Sequence, residues 1–354
     1  GSQQALAEET VAPVVTDSEQ RAPVECAEVE DLEEEDDEPP PRRGILPMYG
    51  EASHDCGNDA PEDSPRWEPN MHLQLIEFDP INIRYLAEGA MCQCFVASKT
   101  PDSLRLAEEA CPVGRDEPVV IKTPIDGGYD VAENDLLVEA TILKELCHPN
   151  IISFLGKGES SAGVSFIVLE YLAGGTLRSL LDKKGGLGVE RSSNYGRQLA
   201  SALSYMHDDA VPGTILMHRD LKPDNIAFTS SGVVKIFDFG LAKIIRRTRR
   251  ARSVKYHMTG MTGSPRYMSP EVTCSQPYNE KSDVWSYTII LWEMLSGQLP
   301  FDGLSMAQYV DNVCGGTQRP ILELAWPEDL RRILQSGWVQ EPDRRPSFRE
   351  IHGV

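Results

Sequence analysis

The segment His218-Arg219-Asp220-Leu221-Lys222-Pro223-Asp224-Asn225 brings a carboxylate, an ammonium and a carboxamide within six residues, and Asp238-Phe239-Gly240 adds a further carboxylate thirteen positions after Asn225. Phosphoryl transfer needs these types: a carboxylate for the proton of an incoming hydroxyl, a cation for charge on the phosphate, and oxygen ligands for a divalent ion. A lone Asp or Asn is ordinarily a turn or cap residue, but turn chemistry does not explain the whole string. Between the two carboxylate segments, Val233-Val234-Lys235-Ile236-Phe237 reads as a strand that delivers Asp238.

The elements that must hold these groups follow from apolar periodicity. Short alternating runs predict strands at Leu73–Ile76, Asn82–Leu86, Gln93–Ser98 and Pro118–Lys122, with an insertion over residues 100–117 that is longer than an ordinary hairpin loop. Leu136, Leu137, Ala140, Leu143 and Leu146 form one stripe of a helix expected over Ala132–Cys147, and Pro149 lies just beyond it. Strands follow at Ile151–Gly156 and Val164–Leu169. After Gly174-Gly175 the pattern turns helical at Arg178–Leu181 and Arg191–His207, is interrupted by a strand-rich piece over Ile226–Phe237, and resumes as a buried helix over Trp285–Ser296. The fold class this implies is α+β, with a small strand-rich half joined to a larger helical one.

Composition narrows the partners. The 354 residues carry a formal charge of −21, which argues against non-specific binding to nucleic acid or to anionic membrane. Residues 1–70 alone hold a net −16, with nine carboxylates between Glu28 and Glu38, and are rich in proline. They read as a disordered segment ahead of a nearly neutral body starting at Met71. No apolar run is long enough for a membrane-spanning helix. The eight cysteines lack paired metal-ligand spacing, which favours thiols in a reducing compartment such as the cytoplasm, with the nucleus as an alternative.

With its motifs in view, the chain resembles the eukaryotic protein-kinase family over about residues 78–354, and most closely the tyrosine-kinase-like branch of the Ser/Thr kinases. The resemblance implies a bilobal fold with an N-lobe over about 78–169, a hinge at 170–175 and a C-lobe over 176–354. It implies transfer of the ATP γ-phosphoryl group to Ser/Thr hydroxyls of protein substrates, with Mg²⁺ as cofactor and Mn²⁺ as a substitute. Asp220 would orient and deprotonate the acceptor, Lys222 would offset phosphoryl charge, and Asn225 and Asp238 would hold the metal. Val119-Val120-Ile121-Lys122 places Lys122 on the α/β-phosphates, with Glu139 as its helix partner. The purine slot would comprise Leu86, Cys94, Val120, Ala227 and the backbone of Glu170 and Leu172, with Leu169 at the gatekeeper position. Asp283 would anchor the catalytic loop, Glu271 would pair with Arg345, and Ser264 would touch Asp220 and Lys222.

The sequence departs from the family pattern in the phosphate-covering loop, where Ala87-Glu88-Gly89-Ala90-Met91-Cys92 keeps only the central glycine, Gly89. Cys92 introduces a side chain where backbone amides would approach phosphate. In the purine slot, the volume gained at Val120 is offset by that lost at Ala227, so the slot is expected to be shifted and not blocked. A pseudokinase, acting as a nucleotide-binding or scaffold module, is therefore the alternative to an active enzyme. Regulation is expected in the activation segment, where Thr248, Ser253, Tyr256, Thr259 and Thr262 are the hydroxyls available to a phosphate clamped by Arg219. Six cations between Arg246 and Lys255 would repel one another, keep that segment mobile, and offer a docking surface to the acidic Glu28–Glu38 block.

Overall fold

A computed structural model describes residues 81–89, 91–98, 117–125, 129–160, 163–247 and 254–353. The acidic segment, the strand expected at Leu73–Ile76, the insertion before Glu117, Thr248, Ser253 and the cations Arg249, Arg250 and Arg252 lie outside the described residues, as do Cys26, Cys56 and Cys111.

The smaller lobe is a five-stranded antiparallel sheet in the order β1-β2-β3-β5-β4, made of β1 (Ile81–Glu88), β2 (Cys92–Ser98), β3 (Val119–Pro124), β4 (Phe154–Glu159) and β5 (Ser165–Glu170). Strand periodicity divides its residues between two faces. Val119, Ile121, Leu155, Phe166 and Val168 close one small apolar cluster, while Val120, Ile167 and Leu169 join the main core. Lys122 follows Val120 on that second face, directly opposite Cys94 in the β2–β3 register. Helix α1 (Tyr129–Lys144) presents buried Leu136, Ala140 and Leu143 to this core, and Glu139 is buried with them.

Several boundaries differ from expectation, two of them because tertiary bonds set them. Helix α1 ends three residues before Cys147, because Glu145 and Leu146 donate to the carbonyls of Ile142 and Leu143 in a tightened turn, and the Cys147 N–H donates to the Tyr205 hydroxyl. The strand expected from Ile151 begins only at Phe154: Ile151 makes a single parallel bridge to Ile236, and its neighbours' backbone groups bond to the larger lobe.

The larger lobe begins with α2 (Leu177–Lys184), capped by Thr176, and α3 (Val189–Asp208). Two short two-stranded antiparallel sheets follow, one pairing β6 (Thr214–Met217) with β9 (Lys243–Arg246), the other a hairpin of β7 (Ile226–Phe228) with β8 (Val234–Ile236). Helix α4 (Pro270–Thr273) precedes α5 (Lys281–Ser296), which is buried from Ser282 to Leu295 and so lies at the centre of the lobe. The described chain closes with α6 (Met306–Gln308), a π-helical turn over Tyr309–Cys314, α7 (Glu328–Gly337) and α8 (Phe348–His352). Helix α5 ends at Gly297, whose φ of 69° is left-handed and whose N–H caps Glu293. The loop after α2 crosses so closely that a Cβ on Gly297 would collide with the backbone nitrogen of Gly186 and come within 2.8 Å of Gly185. No helix among the described residues is long and apolar enough to cross a membrane.

Candidate active site

Strand β3 and helix α1 bring Lys122 to 2.7 Å from Glu139 Oε2, and the turn after β8 brings Asp238 Oδ1 to 3.0 Å from the same ammonium. The partners are 17 and 116 residues away, so only the fold assembles the triad. Burial alone would lower the Lys122 pKa, but Glu139 and Asp238 more than reverse this and hold it firmly cationic. Burial likewise would raise the Asp238 carboxyl, yet Lys122 takes it below the ordinary carboxylate range. Asp238 has a φ of 64°, a left-handed conformation that Asp tolerates better than most residues. The other Glu139 oxygen, Oε1, accepts the Phe239 N–H at 3.3 Å, fixing the turn beyond Asp238.

The second cluster lies on the loop between β6 and β7. Asp220 Oδ2 accepts from Lys222 Nζ at 2.7 Å and from Asn225 Nδ2 at 3.1 Å, while its Oδ1 accepts from Ser264 Oγ at 3.1 Å. Asn225 Nδ2 also donates to the Asp220 carbonyl, which commits its amide hydrogens to the loop and leaves its oxygen as a donor atom for a cation. Asp283 Oδ2 accepts the His218 N–H and Oδ1 the Arg219 N–H, at 2.9 and 3.0 Å, and His207 Nε2 lies 2.9 Å from Oδ2. These bonds hold Arg219 at a φ of 69°. Gly263 is required beside this loop: its φ is 102°, and a Cβ there would sit 2.7 Å from the Arg219 carbonyl. That close approach delivers Ser264 to Asp220. Further on, Glu271 is gripped by both Arg345 nitrogens, at 2.6 and 2.8 Å.

Strand β8 links the two clusters, since the Phe237 N–H donates to the Asn225 carbonyl at 3.0 Å. Asn225 and Asp238 offer hard oxygen donors of the kind Mg²⁺ prefers, two from the protein with the rest left to water and phosphate. Among the described residues no group of three or more His, Cys, Asp and Glu stands ready to hold a metal by itself. The residue types therefore suit an ion that arrives with a phosphate ligand.

A family comparison matches protein tyrosine and serine/threonine kinases over residues 86–354. The chain belongs to this kinase family. Serine/threonine-protein kinase VIK of Arabidopsis thaliana is 35% identical over 241 residues, 67% of this chain and 54% of that protein. Serine/threonine-protein kinase CTR1 of the same plant is 35% identical over 62% of this chain and 26% of its own length. Dual specificity protein kinase shkB of Dictyostelium discoideum is 33% identical over 62% of this chain and 33% of its own. The matched region thus spans about half the length of these relatives or less. Within the family the chain groups with Ser/Thr kinases of the tyrosine-kinase-like branch, and its lobes have the family's bilobal α+β architecture. The family uses ATP and a divalent metal ion.

The kinase's proposed purine slot is less uniform than these two clusters. Val120 and Ala227 are buried, Cys94 and Leu172 are half-buried, and Leu86 is exposed on β1. Gly89 donates to the Cys92 carbonyl at 2.8 Å, and a Cβ on it would meet only that oxygen, at 3.6 Å. Burial raises the thiols of Cys92, in the loop, and of Cys94, in the slot, pushing Cys94 up to about 11, so neither is a ready thiolate. The five described cysteines all carry thiols.

In the activation segment, the Arg219 guanidinium donates to the Thr259 hydroxyl and carbonyl, to Thr262 Oγ1 at 3.4 Å and to the Tyr278 hydroxyl at 2.9 Å. In the described part of this segment a backbone bridge joins Tyr256 to Tyr278, while the middle of the cation run lies outside the described residues. Arg247 lies 2.8 Å from Asp208, and Lys255 lies 4.0 Å from Asp343. Sequence reading missed Lys235, which forms a buried ion pair with Glu170, and Arg178, which donates to the Tyr267 hydroxyl and to Glu293 at 2.7 and 2.6 Å. Isolated cations at helix or strand positions carry no spacing signal, so only the fold reveals these two.

Proposed function

We propose that the chain transfers the γ-phosphoryl group of ATP to serine and threonine hydroxyls of protein substrates, within a kinase domain spanning residues 71–354. The observation that carries this reading is the joint placement of Lys122 between Glu139 and Asp238, beside an Asp220 held by Lys222, Asn225 and Ser264. An intact set of this kind favours an active enzyme over a pseudokinase, because each electrostatic element is worth about 2.7–4 kcal/mol to catalysis.

In this reading Lys122 binds and orients the α/β-phosphates, and Glu139 keeps its ammonium aimed at them. Asn225 and Asp238 would hold the divalent ion, Mg²⁺ with Mn²⁺ as a substitute, which when bound neutralises charge on the phosphates. Gly89 lets the loop between β1 and β2 approach the phosphates. Asp220 orients the acceptor hydroxyl through one carboxylate oxygen and receives its proton, while Lys222 offsets charge on the migrating group. The purine would sit among Leu86, Cys94, Val120 and Ala227, with the backbone of Glu170 and Leu172 along its edge. The Ser264 contact with Asp220 supports an aliphatic hydroxyl as acceptor. Thiol-bearing cysteines support a cytoplasmic or nuclear setting.

One regulatory contact belongs to the same proposal. Phosphate on Thr259 or Thr262 would fall within reach of Arg219 and favour activity.

The deciding experiment is radiolabelled phosphate transfer from ATP to a generic protein substrate, comparing the wild-type chain with Asp238→Asn. Incorporation on serine and threonine that is lost in the variant supports the proposal. Equal incorporation in both removes it.

A further inference from the structure

Lys235 and Glu170 form a buried ion pair in which none of the phosphoryl-transfer groups takes part. Lys235 Nζ lies 2.5 Å from Glu170 Oε1 and donates to the Ile151 carbonyl at 3.1 Å, while the same Oε1 accepts the Ser153 N–H at 2.6 Å. Both residues are only 8% exposed. Taking two charges out of water is costly, and a tightly bonded pair away from the reacting groups calls for a role other than simple stability.

The neighbours of each residue indicate that role. Glu170 ends β5, and its own N–H donates to the Ser153 carbonyl at 3.1 Å, so both its backbone and its side chain are tied to the start of β4. The backbone from Glu170 to Leu172 is the edge assigned above to the purine. Lys235 is the middle residue of β8 and pairs in register with Ala227, the proposed floor of the purine slot. Backbone bonds from Ile152 to Ile236 and from Ile236 to Asn150, both 2.9 Å, run beside the ion pair. A single ammonium therefore joins β8, the strand paired with the one that carries the slot's floor, to the connection that carries its edge.

We infer that Lys235 is a positioning residue for the purine, fixing the Glu170–Leu172 backbone at a set distance from Ala227. This rests on the proposed purine slot. Without the ion pair no side chain ties β8 to Glu170, and the edge of the slot is no longer held in register with its floor.

The test uses the full chain, with ATP and adenosine as separate calorimetric probes. Lys235→Met leaves a buried carboxylate unpaired, so the double variant Lys235→Met/Glu170→Met is made as well; replacing both members of a buried pair by apolar residues is often close to neutral for stability. The dissociation constants of both probes are expected to rise by about tenfold and by the same factor, the scale of one charge-assisted hydrogen bond. The double variant should melt within about 2 °C of wild type. In Lys235→Met, KM for ATP should rise while turnover at saturating ATP stays within about threefold, because Lys235 touches no reacting atom. Unchanged affinities in the folded double variant would overturn the inference, as would a loss confined to ATP. A wild-type chain that binds neither probe would overturn the purine slot itself, a result distinct from equal binding by wild type and variant.

Discussion

Replacing Arg345 by methionine removes the cation from a fully enclosed ion pair and leaves Glu271, itself buried, with no counter-charge. The guanidinium makes two bonds to Glu271, at 2.6 and 2.8 Å, and donates to the carbonyls of Val339, Lys281 and Gln340 at 2.9, 3.0 and 3.2 Å. It also lies 5.1 Å from the centre of the Trp285 ring. Removing one partner of a buried pair costs about 3–5 kcal/mol, and losing the cation–π contact takes the total toward the upper end. At about 2–4 °C per kcal/mol for a domain somewhat smaller than this one, Arg345→Met should lower the melting temperature by about 10 °C. Differential scanning calorimetry of the single variants and of Arg345→Met/Glu271→Met reads the effect. The double variant should recover part of the loss, because no uncompensated carboxylate remains. A fall below about 3 °C in the single variant, or a double variant less stable than either single, would refute the claim that the pair is held together as a unit.

With Asp220 as the proposed proton acceptor, Asp220→Asn, which preserves the side chain's shape, should lower transfer by about 10²–10⁴-fold while the fold keeps its melting temperature, as radiolabel incorporation and calorimetry would show. Asp238 is held below the ordinary carboxylate range despite its burial, chiefly by Lys122, so its charge stabilises the fold above the unfolded value of about 3.9 and that contribution disappears as pH falls through the lower folded value. The melting-temperature difference between wild type and Asp238→Asn should accordingly be flat from about pH 7 to 5 and close only in stronger acid. Burial pushes Cys94 up to about 11, so its alkylation by iodoacetamide, followed by peptide mass spectrometry, should still be accelerating above pH 9. A plateau near neutral pH would show that the thiol is not desolvated as the structure implies.

Chemistry that constrains residue type at fixed spacing was legible before any coordinates. The loop from His218 to Asn225 and the Asp238 turn stand where the motif reading puts them, and the Lys122–Glu139 and Glu271–Arg345 pairs, inferred from resemblance, are formed in the structure. The limits of α1 and β4 were less legible because tertiary bonds set them: Tyr205 draws off Cys147, and Ile236 claims the backbone beside Ile151. The β6–β9 pair was missed because four-residue strands far apart in the chain carry too little alternation to read. Helix α7 did leave a signal, with Leu330, Ile333 and Leu334 spaced on one face. Lys235 lay unread because an ammonium inside a β-branched strand looks like a solvated side chain until the sheet places Glu170 against it.

The crossing at Gly297 bears on how this protein tolerates change. Any side chain there would wedge two backbones apart at the end of the central helix α5. A saturation library scored only for phosphoryl transfer would therefore place Gly297 beside Asp220 and Lys122 as an intolerant position. Scoring the same library for cellular abundance separates them: Gly297 variants would vanish from both readouts, whereas Asp220 variants would accumulate as folded, silent protein.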